Sequence, residues 1–303
     1  MNMRQLYSEA RTRSRQVLPK SSLPRTAPAH SLLALTRMEL LRLLSLRRWF
    51  ALTVPLVIVG ILVARQLQHA SVTHGFVINA WDIPLDVFNN IVVVCAILMP
   101  LLVGLIGDVV LGNRETGYIT LSPADGRPNI GRWLAKAGAV YAATFMYFLL
   151  ATAIVLLVGM VLAGPAAGLS EYGQSVPELG PLGSFKTYLP PPVPELPVVG
   201  VLLVMLWTAT AVSSLVILII AVSSVSRLPW IPLVLTLAMV LVGLRVQATS
   251  ALHPLVHLTW GVHDDYPGSL GVLWPASLVA LIVEFFVATG IGIGILNSRR
   301  FTS

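Results

Sequence analysis

The chain reads DVVLGNRETGYITLSPADGRPNIGRWLAK from residue 108 to residue 136, between two long apolar runs. The pairs Ser122-Pro123 and Asp125-Gly126 are typical of turns. A polar insert between two hydrophobic spans must lie at a membrane surface, and an excess of positive charge is typical of the cytoplasmic surface. The insert carries four basic residues: Arg114, Arg127, Arg132 and Lys136.

The composition indicates that most of the chain is solvated by lipid. Hydrophobic residues make up 56% of the 303 residues, charged residues make up 11%, and the mean hydropathy is +0.82. Soluble domains carry about 25% charged residues. The 20 Lys and Arg residues outnumber the 13 acids, but they flank apolar runs instead of forming a basic domain, which argues against nucleic-acid binding. The single cysteine, Cys95, excludes an intrachain disulfide.

Hydropathy predicts an all-α polytopic membrane protein. Residues 1–30 are expected to form a flexible basic cytoplasmic arm without a signal peptide. Residues 31–48 have leucines at helical spacing and are expected to form an amphipathic helix on the inner membrane surface, or an extension of the first span. Residues 49–303 are then a transmembrane domain. Its six predicted spans, each needing about 20 residues, are 49–67, 89–111, 134–163, 198–222, 229–250 and 272–297.

The distribution of basic residues predicts the orientation. With both termini cytoplasmic, 17 of the 20 Lys and Arg residues lie in inner segments, and only Arg65, Lys186 and Arg245 lie outside. This predicts a multi-pass protein of the cell (inner or plasma) membrane. Four tryptophans at predicted span ends are expected to anchor at the interface: Trp49, Trp133, Trp230 and Trp274.

The insert resembles the coupling segment of permease subunits from type-2, exporter-type ABC transporters. That segment has an acid, a Glu closely followed by Gly, a hydroxyl-Pro pair, a basic residue, and a Lys that opens the next helix. The three residues Ala-Asp-Gly before Arg127 depart from the shorter link that is usual in the family. The matching positions here are Asp108, Glu115, Gly117, Ser122, Pro123, Arg127 and Lys136.

The resemblance implies a cytoplasmic coupling helix between spans two and three and a connecting helix before span one. It also implies two permeases, identical or paired, bound to two nucleotide-binding ATPase subunits. Glu115 and Arg127 would make polar contacts with the ATPase, and Gly117 and Pro123 would shape the turn. The chain has no G-x-x-x-x-G-K-[ST] motif, so the partner would bind ATP and Mg²⁺, and the chain would hold no cofactor. The alternative is an ordinary basic loop that only sets orientation.

Two acids fall in or near predicted spans. Glu284 lies near the middle of the sixth, where a carboxylate costs at least about 2.5–3.5 kcal/mol to insert. It is a candidate for the translocation path or for coupling, and equally for a buried hydrogen bond between helices. Asp108, near the inner end of span two, is expected to orient the coupling loop or cap a helix instead of contacting cargo.

Other polar and small residues have ordinary explanations. His253 and His257, with acids nearby, have the spacing of a metal pair on a helix, but Pro254 weakens this and no metal site is predicted. Gly290 and Gly294 form a G-x-x-x-G pattern typical of helix packing. Four hydroxyl residues of the fourth span either line a pathway or join helices: Thr208, Thr210, Ser213 and Ser214.

Three functions compete. The first is a permease subunit of an ATP-driven exporter, with no enzymatic activity of its own. The second is an ion- or proton-coupled carrier that uses Glu284, although no internal repeat or interrupted helix is evident in the sequence. The third is a non-transporting membrane scaffold or immunity protein. A membrane-embedded enzyme is not supported, because no paired acids or Ser/His set fall within the spans.

Overall fold

A computed structural model of the chain describes residues 32–44, 47–111, 129–168, 170, 196–224, 230–246, 258 and 274–298. These residues form helices and no strand, which confirms the all-α prediction for this part of the chain. The first helices are α1 (Leu32–Leu44), α2 (Arg48–Ala51), α3 (Thr53–His74), α4 (Asp82–Asn89) and α5 (Ile91–Val93). A π-helical turn, Val94–Leu98, then leads into α6 (Met99–Leu111). The remaining helices are α7 (Asn129–Leu162), α8 (Pro197–Ser223), α9 (Ile231–Val246) and α10 (Trp274–Ser298).

Four helical stretches of the described chain are long and apolar enough to cross a bilayer. They are Arg48–Thr73, Trp133–Leu162, Pro197–Ser223 and Ser277–Ile295, and they match the first, third, fourth and sixth predicted spans. The predicted fifth span, 229–250, overlaps α9, of which the fully described apolar stretch, Ile231–Leu241, is shorter than a span. The predicted second span, 89–111, belongs to a bent helix pair that makes a fifth crossing if it counts as one span.

The first span runs further than hydropathy predicts. Its expected end was residue 67, but α3 continues through a polar stretch to His74. Gly75 ends the helix in the left-handed conformation, with φ of 73°, and its N–H donates to the Ser71 carbonyl at 2.8 Å. Glycine adopts this conformation without the steric cost of a Cβ atom, so it sets the boundary independently of hydropathy.

The helical segment at the predicted second span follows a sharp bend, which the sequence did not predict. Helix α4 and the helix Ile91–Gly107 meet at an angle of 67°. Asn90, at the break, accepts hydrogen bonds on its side-chain oxygen from the N–H groups of Val92 and Val93. The π turn that follows ends two residues before Pro100, a residue that cannot donate to the carbonyl four positions earlier.

Contacts between helices define two ends of the bundle. Gly60 of α3 packs against Val158 of α7, and Gln68 donates to the Leu162 carbonyl at 2.7 Å, so these two helices run parallel. Helix α1 contacts the beginning of α7, where Thr36 lies against Gly138. We call this the α1 end of the bundle, and the end at Leu162 the far end.

The buried core lies where α4, α6, α7 and α8 meet. Phe88 of α4 packs against Phe148 of α7 with ring centroids 5.7 Å apart, and Tyr147 meets the same phenylalanine edge to face. Leu102, Val212 and Leu215 complete this interior. The outward faces of α3, α9 and α10 remain apolar and exposed, as expected for surfaces in contact with lipid.

Candidate functional site

Helix α1 packs against the first turns of α7. Glu39 and Arg42, one turn apart on α1, form an ion pair at 3.9 Å, as their i, i+3 spacing predicts. Lys136 of α7 lies within electrostatic reach of both residues of this pair. The Thr36 methyl group lies 3.2 Å from the position that a Cβ at Gly138 would occupy. The absence of a side chain at Gly138 therefore allows α1 to approach α7 closely beside these charged residues.

The start of the first span is bonded to the end of α1. The indole nitrogen of Trp49 donates to the Leu43 carbonyl at 2.9 Å, and Leu43 is buried. Arg47 and Phe50, on either side of Trp49 in the sequence, are exposed. Trp49 thus satisfies a carbonyl in the last turn of α1 instead of only anchoring the chain at the interface.

Trp133 has a different role from the interfacial one predicted for it. Its side chain is only 5% exposed. Its indole ring lies against Gly292 of α10 and next to Ile217 and Ile220 of α8. Its Nε1 has no hydrogen-bond partner among the described residues. Trp133 is thus a packing residue where three helices meet at the α1 end.

Glu284 lies on the face of α10 that packs on the bundle, between the buried positions Leu281 and Ala288. Glu284 as a whole is partly exposed, but its Oε1 atom is buried and has no hydrogen-bond partner in the described chain. The hydrogen bond between helices that was one explanation for this residue is therefore not observed within the described part of the chain.

The depth of Glu284 follows from the contact between Gly292 and Trp133. Ser277, Leu281 and Ala288 are buried too, so α10 runs from the far end toward the α1 end along the bundle. Glu284 precedes Gly292 by eight residues on α10, and Tyr141 follows Trp133 by eight residues on α7. Because the two helices run in opposite directions, each residue lies about 12 Å from that contact along its helix axis, toward the far end. Glu284 and Tyr141 are therefore at similar depth, well inside the bundle.

A hydrogen-bonded pair of polar residues lies at the same depth as Glu284. The Tyr141 hydroxyl and the Thr210 hydroxyl are 2.8 Å apart and share a hydrogen bond between α7 and α8. Thr210 also donates to the Leu206 carbonyl at 2.8 Å. Neither the tyrosine nor the pair was singled out from the sequence, because a tyrosine within an apolar run has no distinguishing spacing.

The other hydroxyl residues of α8 join helices or satisfy their own helix. Thr208 approaches the Phe88 carbonyl of α4 at 3.3 Å. Ser213 and Ser214 bond to the carbonyls four residues earlier. All three are buried, which favours the packing explanation over a pathway.

At the far end, residues 79–82 are bonded to residues 164–170, and we call this contact the clasp. Asp82 is fully buried, and its Oδ2 accepts from the Asn79 N–H at 2.6 Å. The Asn79 side-chain amide donates to the Gly168 carbonyl, and the Trp81 indole donates to the Ala166 carbonyl, both at 2.9 Å. Asp82 lies in the first turn of α4.

The predicted coupling residues Glu115, Gly117, Ser122, Pro123 and Arg127 lie outside the described residues. So do His253 and His257. Asp108 lies in α6, as predicted for the end of span two, but its side chain is also outside the described part. In the described ranges, no group of three or more His, Cys, Asp or Glu residues has the arrangement of a metal site.

Gly290 and Gly294 face no other residue of the described chain within 4 Å of a Cβ placed on them. The close contact on α10 is made by Gly292, which lies between them. Comparisons of the chain with protein-family models, with curated proteins and with solved structures find no match.

Proposed function

We propose that the chain is the membrane permease subunit of an ATP-driven exporter of the type-2 ABC class. In this proposal it has six spans, cytoplasmic termini and a coupling segment between spans two and three. The observation that carries the proposal is the attachment of α1 to the first turns of α7 through Glu39, Lys136, Thr36 and Gly138. Residues 112–128 connect α6 to those same turns.

This arrangement supports a mechanical role for the α1 end. A partner subunit that pulls on residues 112–128 would act directly on α7, and α1 would move with it because the two helices are joined. Helix α7 in turn contacts α10 through Trp133 and α8 through the Tyr141–Thr210 pair. A displacement at the α1 end would therefore reach the helices at mid-depth.

The proposed mechanism is alternating access. Binding of ATP and Mg²⁺ closes the partner ATPases, the coupling segments move together, and the spans rock to open a path outward. A second permease copy or a paralogue completes the path. The chain itself catalyses no reaction, and its apolar spans favour lipid-like, peptide-like or drug-like cargo.

The test is co-purification of the chain with a Walker-motif ATPase and measurement of coupled turnover. Replacing Glu115 and Arg127 together by Ala is expected to release the ATPase or to make its turnover independent of cargo. The matched control replaces Glu178 and Lys186, an acid and a base from the predicted outer loop, and should leave the complex intact. An unchanged complex with coupled turnover in the first variant would contradict the proposal.

Two observations favour the carrier as a second candidate. Helix α4 and the helix after it form a sharply bent pair, as an interrupted span would, and Glu284 has no partner for its buried oxygen among the described residues. Interrupted helices and intramembrane acids are both typical of ion-coupled carriers. Vesicles would be reconstituted with the purified chain and no ATPase, and an ion gradient would be imposed across their membrane. Uptake under these conditions would favour the carrier over the exporter.

A further inference from the structure

The Glu284 carboxyl group is an ionisable group within the described membrane helices whose buried atom has no hydrogen-bond partner there. Its Oε1 is buried with no hydrogen-bond partner, and it forms no ion pair with any residue in the described part of the chain. A carboxylate at this depth requires a proton, a cation or a hydrogen-bond donor. The basic residue that the structure places nearest along α7 is Lys136, which lies toward the α1 end and interacts with Glu39.

The position of Glu284 on α10 makes it accessible from the lipid. It falls between Leu281 and Ala288 on the packed face, but its residue is partly exposed. On the neighbouring open face, Val283 is 55% exposed and Val287 is 48% exposed. An apolar ligand dissolved in the bilayer could therefore lie beside Glu284 without passing through the core.

Two aromatic residues follow Glu284 on α10, and a third lies at the same depth on α7. Phe285 and Phe286 follow directly, with ring centroids 6.1 Å apart and planes at 76°, and Phe286 is 68% exposed. Tyr141, at the depth of Glu284 on α7, is 36% exposed. Aromatic faces attract organic cations as well as binding apolar groups.

We infer that Glu284 binds the positive charge of a lipophilic organic monocation, with the open face of α10 at Val283 and Val287 contacting its apolar groups. The ligand supplies the positive charge that the described chain lacks at this depth, and the bilayer concentrates it beside the helix. The inference deepens the proposed function, because the reading of this ligand as cargo rests on the chain being an exporter subunit.

The test uses tetraphenylphosphonium and tetraphenylborate, which have similar size and apolar surface but opposite charge, and the full-length purified chain. Tetraphenylphosphonium is expected to bind saturably, and tetraphenylborate is not. Glu284→Gln should weaken tetraphenylphosphonium binding by about tenfold or more, since the charge pair is lost. Glu284→Asp should retain most of it, and Glu178→Gln, which removes an acid of the predicted outer loop, should leave it unchanged.

A second measurement needs no variant. Dicyclohexylcarbodiimide, a carboxyl reagent soluble in the bilayer, should modify Glu284 in the wild-type chain, and tetraphenylphosphonium should protect it while tetraphenylborate does not. Equal binding of the two probes, unchanged affinity in Glu284→Gln, or modification without protection would overturn the inference.

Failure of the cation-binding inference can be distinguished from failure of the proposed exporter function. Loss of cation binding with an intact, coupled ATPase complex would remove only the cargo class. Cation binding by a chain that associates with no ATPase would retain the site and remove the exporter.

Discussion

The indole ring of Trp133 occupies the space that a side chain at position 292 would need. A Cβ atom on Gly292 would lie 2.3 Å from Cε2 of Trp133, well inside van der Waals contact. Helices α7 and α10 therefore approach each other at the α1 end only because residue 292 has no side chain.

The first prediction concerns this contact. Gly292→Ala should force the buried indole or α10 to shift and lower stability by about 1–3 kcal/mol, as overpacking does. Thermal unfolding of the purified chain in detergent measures the effect. Gly290→Ala and Gly294→Ala are matched controls on the same helix, since nothing lies within 4 Å of a Cβ at either position. Equal destabilisation by all three variants would show that helix propensity, not the Trp133 contact, decides the result.

The second prediction concerns the attachment of α1. Gly138→Leu should push α1 away from α7, because the Thr36 methyl group already lies 3.2 Å from a Cβ at that position. Hydrogen exchange of the α1 backbone amides should accelerate markedly. The same substitution at Gly131, also in α7 but with no neighbour within 4 Å, should leave α1 protected. Protection of α1 in the Gly138 variant would show that it is not held through this contact.

The third prediction concerns the clasp at the far end. Asn79→Ala removes the donor to the Gly168 carbonyl and the acceptor for the Trp81 N–H. The expected loss of stability is about 1–3 kcal/mol, because partly buried polar groups lose their partners. Thr73→Ala is the control, since Thr73 is exposed and bonds only within its own helix. Stability equal to that of the control variant would argue against the clasp.

The fourth prediction concerns orientation. Tyr118→Cys should react with a membrane-impermeant maleimide only after the cytoplasmic side is exposed, and Thr187→Cys should react from outside in intact cells. The native Cys95 is 3% exposed and is not expected to interfere. The reverse labelling pattern would place the basic insert outside the cell.

Hydropathy predicts the helices that meet lipid directly, because a bilayer demands about 20 apolar residues for each crossing. It could not predict α4. Asp82, Asp86 and Asn89 are three polar residues among eight, which makes the segment less apolar than a span, although Asp82 and Asn89 are buried by the folded bundle. The bend between α4 and the helix after it was missed for the same reason, since an average over neighbouring residues hides a short helix that contains several polar residues.

The sequence patterns also failed to predict which residues make the close contacts between helices. The G-x-x-x-G pattern points to Gly290 and Gly294, while the glycine in contact with another helix is Gly292. Trp133 at the end of an apolar run has the pattern of an interfacial anchor, but it packs inside the bundle. In both cases the deciding quantity is the rotation of a helix about its axis, which depends on its neighbours. By contrast, a carboxylate in an apolar run is costly in any fold, so Glu284 stood out from sequence alone.

The most direct test of the central claim is site-specific photo-crosslinking from the predicted coupling segment in whole cells. A photoreactive amino acid at position 115 or at position 127 should give an adduct with a Walker-motif ATPase. The same group at position 186, in the predicted outer loop, should give none. Adducts from position 186, or none from positions 115 and 127 while the chain still transports, would contradict the account.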